Sequence, residues 1–494
     1  MINNEKQTRC DNMMKTITGS FPEGWVWSKL RDILSYVKGK KPQKLGLTST
    51  LLSIPYINIK AFEHNIFEQY TDGASCEICG KDDILIVWDG ARCGLVGRGV
   101  SGAIGSTLAK LICYNLDKAF IFYFIQSKFE NINKRPKGVG IPHVDPHVFW
   151  NIELPLPPLP EQHRIVAKIE ELFSNLDMGV EALKKIKTQL KRYRQAVLKH
   201  AFEGKLTADW RQRMLNDELR MLNEKDNLSR SKIDNTDLPE LPNGWIWSQL
   251  KDVGEIVTGT TPSKKNKEFY ETNDFPFYKP SDLNDGYNVI NSEDHLSKQG
   301  VEKARILPQK SILVTCIGAT IGKTGLIKIE GASNQQINAI IPNQNYILPE
   351  YCYFMVISPY FQKTIIDNAS STTLPILNKN KFKMLFIPIT KISEQHKIVE
   401  EIERRFSIAD EVEKVVDQSL NQSERLRQSI LKKAFEGKLV PQDPTDEPAK
   451  KLLERIKSEK ARKEEEKRLN KRRKKNEKKN NKSKYKQGGI FENG

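Results

Sequence analysis

No stretch of this 494-residue chain combines apolar character with the roughly 18 residues that a membrane-spanning helix needs. The longest apolar runs, such as Ala119–Ile125, read as buried strands or short core helices. Cysteine is scarce: seven residues, an odd number, scattered along a large chain with no apolar leader at Met1–Ser20. That argues against a disulfide framework and for a soluble, cytoplasmic protein with no membrane partner. Complete catalytic motifs are missing as well. No Asn/Asp-Pro-Pro-Tyr/Phe sequence, the mark of an amino-methyltransferase site, occurs anywhere. Gly318-Ala-Thr-Ile-Gly322-Lys323-Thr324 approaches a phosphate-binding loop, but it has three residues between its glycines where four are needed. Gly325-Leu-Ile-Lys-Ile329 then reads as a strand, where such a loop must open a helix. Cys76 and Cys79 have zinc-knuckle spacing, yet Cys93 and Cys113 offer no matching pair. Pro142 and Pro146 forbid the helix that would put His143 and His147 on one face. No catalytic residue and no metal ligand is therefore assigned, and an ATPase ranks last among the readings.

Length alone implies more than one core. The chain is 38% hydrophobic, enough for ordinary globular cores, and carries +17. Residues 450–494 hold 19 Lys/Arg against 7 Asp/Glu, so this tail supplies +12 and the rest of the chain +5. Charge permits a polyanionic partner without proving one, because a basic tail can equally be a solvated or transiently contacting arm.

The chain is one module written twice. Phe21-Pro-Glu-Gly-Trp-Val-Trp-Ser-Lys-Leu-Arg-Asp32 returns as Leu241-Pro-Asn-Gly-Trp-Ile-Trp-Ser-Gln-Leu-Lys-Asp252, an offset of 220 that also aligns Gly39 and Pro42 with Gly259 and Pro262. Glu161-Gln162-His163 matches Glu394-Gln395-His396, and Ala201-Phe-Glu-Gly-Lys-Leu206 recurs at Ala434–Leu439, both at an offset of 233. Length therefore changes in the first part of each module and is held in the second. Two different heads on a shared scaffold would show this pattern, as would two diverged copies with no division of labour.

The constant part is helical. From Glu161, Ile169, Leu176, Leu183, Leu190 and Val197 occupy one heptad position and Ile165, Leu172, Gly179, Ile186 and Tyr193 the other, a coiled-coil seam. In the second copy Ile398, Ile402, Phe406, Val412, Val416, Leu420, Leu426 and Ile430 form a patchier seam broken by Ser419 and Ser423. A plain bundle core is the alternative for either helix. Pro160 and Glu161 mark the first start, Ser393 reads as an N-cap for the second, and Gly204 and Gly437 mark the ends. Rods of about 60 Å pairing antiparallel would place the heads at opposite ends about an approximate twofold axis. That suits duplex half-sites about one helical turn, roughly 34–36 Å, apart.

The heads read as α/β with many short strands. Asp83–Trp88 and Ser311–Thr315 are β-rich runs followed by Gly90-Ala91 and Gly318-Ala319 turns, and Ile54–Lys60 and Phe275–Pro280 are strand-like pieces interrupted by proline. A duplex reader needs donors for phosphates and paired donor–acceptor side chains for base edges. Lys38, Lys40, Lys41, Lys44 and Lys60 offer the first in one head. Thr258, Thr260, Thr261, Ser263, Lys264, Lys265, Lys279 and Lys323 do so in the other. A solvated charged loop is the alternative for any single lysine. Arg92, Arg98 and Arg135, and the run Asn334-Gln335-Gln336, have the chemistry for base edges.

Taken together, Pro-Glu/Asn-Gly-Trp opening each head, the Ile317–Lys323 stretch with the later Asn334-Gln335, the Pro-Leu-Pro-Pro-Leu-Pro-Glu-Gln-His-Arg-Ile-Val run at 155–166 and the doubled Ala-Phe-Glu-Gly-Lys-Leu carry a likeness. The chain resembles the specificity subunit of type I restriction–modification systems over nearly its whole length. In the first head Asp89-Gly-Ala-Arg-Cys-Gly94 departs from the Ala-Thr-Ile-Gly pattern, and Ser106-Thr107 stands where Asn-Gln is expected. The likeness implies two α/β target-recognition domains, at 21–158 and 239–391, each followed by a long helix, at 159–204 and 392–440, the helices pairing as an antiparallel coiled coil with pseudo-twofold symmetry. A flexible N-terminus at 1–20, a polar linker at 205–238 and a basic tail at 441–494 complete the layout. It implies double-stranded DNA as ligand, two modification subunits docked on the spacer helices, restriction motor subunits beyond them, and S-adenosylmethionine, ATP and Mg on those partners rather than on this chain. The alternatives are a subunit of a methyltransferase-only complex and a coiled-coil scaffold whose heads bind proteins.

Overall fold

The computed structural model describes residues 22–134, 142–221, 238–370 and 374–487. The expected flexible N-terminus, Arg135, residues 222–237 of the polar linker and the last residues of the tail lie outside them. Among the described residues, long helices are α1 (Leu159–Phe202), α2 (Ala208–Met221), α3 (Ile392–Phe435) and α4 (Ala449–Gln487). Gly204 and Gly437 follow α1 and α3 with φ of +69°, the left-handed conformation that ends a helix and that a side chain would strain. Ser393 is not the N-cap of α3. The helix begins one residue earlier, and the Lys391 carbonyl accepts from the amides of Glu394 and Gln395, so Ser393 sits inside the first turn.

Compact units do not follow the sequence repeats. One joins Met1–Glu181 with Leu420–Gly494, the other is Ala182–Ser419, and both boundaries fall inside α1 and α3. Each unit thus contains a head, the start of the helix that follows that head, and the end of the other long helix.

In the first unit β1 (Val26–Lys29) pairs antiparallel with β10 (Glu153–Leu156), aligning Trp27 with Pro155. A four-stranded antiparallel sheet runs β2 (Leu34–Lys38), β9 (Leu108–Cys113), β6 (Ile84–Val87), β7 (Val96–Gly97). A smaller sheet runs β4 (Tyr70–Thr71), β3 (Ile54–Ile57), β8 (Gly102–Ile104), β5 (Ile78–Cys79). The second unit repeats the plan: β11 (Ile246–Gln249) with β19 (Phe386–Ile389), aligning Trp247 with Pro388. Then come β12 (Gly254–Thr258), β18 (Ile337–Pro342), β15 (Ile312–Thr315), β16 (Thr324–Leu326), and β14 (Asp294–Leu296), β13 (Phe275–Tyr278), β17 (Ala332–Ser333). Ile84–Val87 and Ile312–Thr315 are buried throughout, as central strands covered on both faces require.

Segments of α1 and α3 run antiparallel inside each unit. Arg427 pairs with Asp177 in the first, and Lys187–Asp417 (2.8 Å) and Arg194–Glu413 (2.9 Å) span the pair in the second. Ile165, Ile169, Val197, Ile398, Ile402, Val416 and Ile430 are buried, while Leu172, Leu176, Leu183, Leu190, Phe406 and Leu420 are half-buried. Val412, Leu426 and Ile186, expected on the seam, face solvent instead. On α3 the seam passes through Ala409, Glu413, Ser423 and Arg427, small or polar residues that an apolar heptad search passes over.

The tail is not a solvated arm at its beginning. Ala449, Leu452 and Ile456, on one face of α4, are buried in the core of the first unit with Ile33, Leu34 and Phe120. Arg164 binds Asp446 (2.6 Å), and Lys460 donates to the carbonyl oxygens of Arg31 and Leu34. No helix among the described residues is long and apolar enough to cross a membrane.

Candidate nucleic-acid interface

The three repeated motifs meet in one joint under each head. Trp25 Nε1 donates to Glu161 Oε2 (2.9 Å), and Trp245 Nε1 to Glu394 Oε2 (3.0 Å). Gln162 and Gln395 are fully buried and staple the neighbouring loops, bridging Asp117 N to Pro157 O in one unit and Leu348 N to the carbonyls of Tyr346 and Thr390 in the other. The repeated Ala-Phe-Glu-Gly closes the joint from below. Phe435 packs edge-on against Phe120 and Phe124, and Phe202 against Tyr351. A Cβ on Gly437 would lie 2.3 Å from Pro22, and one on Gly204 2.4 Å from Pro242. The glycines therefore end a helix and admit the proline of Pro-x-Gly-Trp at van der Waals contact.

Above the joint, each head presses one loop against one turn. A Cβ on Gly39, just past β2, would meet the Gly105 oxygen at 2.2 Å, and one on Gly259, just past β12, the Asn334 oxygen at 2.2 Å. Both glycine amides bond the strand after the turn, Gly39 to Leu108 O (2.9 Å) and Gly259 to Ile337 O (3.0 Å). Pairing of Ile57 with Ile104 and of Tyr278 with Ser333 makes Gly105-Ser106 the counterpart of Asn334-Gln335. The expected match of Ser106-Thr107 to Asn-Gln is thus out by one residue. Ser106 and Gln335 are the exposed residues of the two turns.

On the neighbouring loops Lys40, Lys41, Lys264 and Lys265 are exposed, and no ion pair among the described residues uses them. Thr260 and Thr261 are half-buried, and the Thr261 hydroxyl donates to Gln335 Oε1, which orients the amide and leaves its N–H groups outward.

Other expected contacts are engaged within the chain. Lys38 binds Asp89 (2.7 Å), Lys44 Asp72 (3.3 Å), Arg92 Glu63 (2.9 Å), Lys60 Glu68, and Lys279 Asp294. Asn334 Nδ2 donates to Gln336 Oε1 (2.9 Å) while its Oδ1 accepts from the Gln336 backbone N–H (3.1 Å), so the two residues hold one another in place. Lys323 differs most from a phosphate ligand: its ammonium donates to the carbonyls of Pro280 and Ser281, and β16 follows where a phosphate loop would open a helix. No group of His, Cys, Asp or Glu able to hold a metal occurs among the described residues.

Arg98 is a clamp rather than a free base reader. It pairs with Glu170 of α1 and lies over the rings of Phe122 (5.3 Å) and Tyr123 (5.7 Å). At the same place in the second unit Tyr287 stacks on Phe354 (5.0 Å), donates to Glu403 of α3 (2.5 Å) and lies under Lys328 (4.4 Å). Burial and the Glu403 carboxylate push the Tyr287 hydroxyl well up, keeping it a donor. Glu170 and Glu403 share the 233-residue offset of Glu161 and Glu394, the one sequence signal that points to these clamps.

Comparison with known proteins follows the same division. The family described as type I restriction modification DNA specificity domain matches twice, at residues 22–192 and 242–422. The specificity subunit of the type I restriction enzyme EcoBI from Escherichia coli is 30% identical over 363 residues, 70% of this chain and 72% of that one. The MjaVIII specificity subunit of Methanocaldococcus jannaschii is 26% identical over 435 residues, 85% and 93% of the two chains. A solved chain from a study of complex assembly and conformational transition of the type I R-M system has a TM-score of 0.60 at 18% identity, covering 85% of this chain and 100% of its own. The crystal structure of the HsdS subunit from Thermoanaerobacter tengcongensis gives 0.50 at 18% identity, covering 86% and 100%. Two matches to one domain family, each taking in a head and the first part of the helix after it, show that the chain belongs to the type I restriction–modification specificity subunits.

Proposed function

We propose that this chain chooses the DNA site at which a type I complex acts and performs no chemistry itself. Each head reads one half of a bipartite, asymmetric duplex target, and α1 and α3 fix the spacer between the halves. Two modification subunits would dock on those helices and supply S-adenosylmethionine-dependent adenine methylation, with the base flipped out of the stack. Restriction motor subunits, using ATP and Mg, would join them.

One observation carries this reading: equivalent loop-and-turn edges on two heads of one plan present different side chains, Ser106 on the turn against the loop that carries Lys40 and Lys41, and Gln335 on the turn against the loop that carries Lys264 and Lys265. Unpaired lysines suit phosphates, and an amide with outward N–H groups suits a base edge. Lys44, Lys60, Arg92 and Lys279 join the interface if DNA displaces their present carboxylate partners. Methylation-sensitive sequencing of a host expressing the complex should show a two-part motif. Exchanging residues 21–155 for those of another such subunit should alter one part alone. A single continuous motif, or one unchanged by the exchange, would refute the proposal.

A further inference from the structure

Helix α4 changes character along its length. Up to Lys463 it is an anchor, with Ala449, Leu452 and Ile456 buried on the first head and Lys460 bonded to the carbonyls of Arg31 and Leu34. Beyond Glu466 it has no apolar stripe to bury, and Leu469, Arg472 and Arg473 are exposed. Residues 467–487 hold twelve Lys/Arg and one acidic residue, Glu477. The helix continues through Gln487, so spacing assigns these residues to faces. Positions 467, 471, 474 and 478 form one basic row that continues into Asn481 and Tyr485, and the row beside it, 468, 472, 475, 479, 482 and 486, is basic throughout. Asn470, Asn476, Glu477 and Asn480 fall on the reverse together with one apolar residue, Leu469, and Arg473 and Lys484 are the basic exceptions there.

We infer that this arm, carried by the first unit, is a second, sequence-independent DNA contact that grips the phosphate backbone. Its 21 residues extend about 32 Å, so the net charge is about one per 3 Å, close to the 3.4 Å spacing of phosphates along one strand. A membrane surface would need an apolar face, and the reverse face offers a single apolar residue, Leu469. A protein partner would need an aromatic or aliphatic anchor at the centre of the contact, where lysine is depleted. The inference rests on the proposed DNA reading and extends it: the heads specify, and the arm adds affinity without choosing sequence.

The test uses the full chain in its methyltransferase complex, with Lys467, Lys471, Lys474 and Lys478 each changed to Gln. Glutamine keeps helix propensity close to that of lysine. Binding is measured against salt on the recognised duplex and on an unrelated one. The slope of log affinity against log salt should fall by about 3 to 4, at about 0.9 per lost phosphate contact. At low salt both duplexes should be bound at least about tenfold more weakly, with the methylated motif unchanged. Arg473→Gln, on the reverse face, should leave the slope as it is. A loss confined to the recognised duplex would make the arm a base reader, and an unchanged slope with weaker assembly of the modification subunit would assign it to that protein. Either result overturns the inference. If the unsubstituted complex does not prefer its own duplex, the reading of the heads fails instead, and the change in slope still decides the arm.

Discussion

At the joint of the first head, Glu161 receives one hydrogen bond among the described residues, from Trp25, and its buried Oε1 has no hydrogen-bonding partner among them. At the joint of the second, Glu394 accepts from Trp245, Thr390 (2.6 Å), Thr207 (2.8 Å) and Arg211 (2.9 Å). The positions that supply these donors hold Pro157 and Val440 in the first copy, so the hydroxyls are gone. Burial pushes the Glu161 carboxyl up, against the pull of the Trp25 bond. For Glu394 burial pushes the same way, but the bonds from Arg211, Thr390 and Thr207 outweigh it and hold the carboxyl below its ordinary range. One position thus has two energetic roles. The first unit closes its joint with apolar surface, Phe435 against Phe120 and Phe124 and the face of α4. The second has Phe202 against Tyr351 and adds a desolvated ionic network around Glu394.

The comparison breaks most readily at Glu394. Glu394→Ala leaves the Arg211 guanidinium, two hydroxyls and the Trp245 N–H without their acceptor, and should cost the second unit about 3–5 kcal/mol in denaturant unfolding. Glu161→Ala abandons one N–H and should cost about 1–3 kcal/mol. Equal losses would show that the two joints work alike. Next in size is Leu452→Ala, a core deletion on α4 that should cost the first unit about 2–4 kcal/mol and leave the second unaffected. If thermal unfolding shows no change, the tail is not part of the fold it packs on.

Acidification should separate the units more gently. Glu394, with its lowered value, contributes stability that is present above the unfolded value near 4.5 and lost as pH falls through its folded value. Glu161, with its raised value, favours the fold fully below about 4.5, and that contribution is lost as pH rises through its folded value. Between pH 7 and pH 4, hydrogen exchange corrected for intrinsic rate should therefore quicken in 242–253 and slow in 22–33. Parallel behaviour of the two segments would contradict the assignment.

The duplication, the α/β heads and the paired helices were legible because repeat offsets and heptad spacing are local or self-comparing signals. The joint was not. Its parts, Pro22, Trp25, Glu161 and Gly437, are up to several hundred residues apart, and Glu161 alone looked like a helix-dipole residue. Val412 and Leu426 misled because hydrophobicity does not reveal a seam held by Arg427 and Glu413. The reading edge was half visible: Asn334-Gln335-Gln336 has the right chemistry, but only the fold shows that Asn334 and Gln336 are bonded to each other and Gln335 is exposed.

The smallest expected effect reverses the ranking of the units. Asp177 and Asp410 are repeat counterparts, as are their partners Arg427 and Arg194. Arg194 also binds Glu413 at 2.9 Å, so Asp410→Asn leaves it a carboxylate and should change stability by less than about 0.5 kcal/mol. Arg427 has the Phe173 ring at 4.4 Å but no second acid partner among the described residues. Asp177→Asn should therefore cost up to about 1 kcal/mol, most of it removed by salt because both side chains reach solvent. Here the first unit is the more fragile, since redundancy of partners and not the charge of any single residue decides what a substitution costs. A larger loss from Asp410→Asn would mean that Glu413 does not act as the reserve.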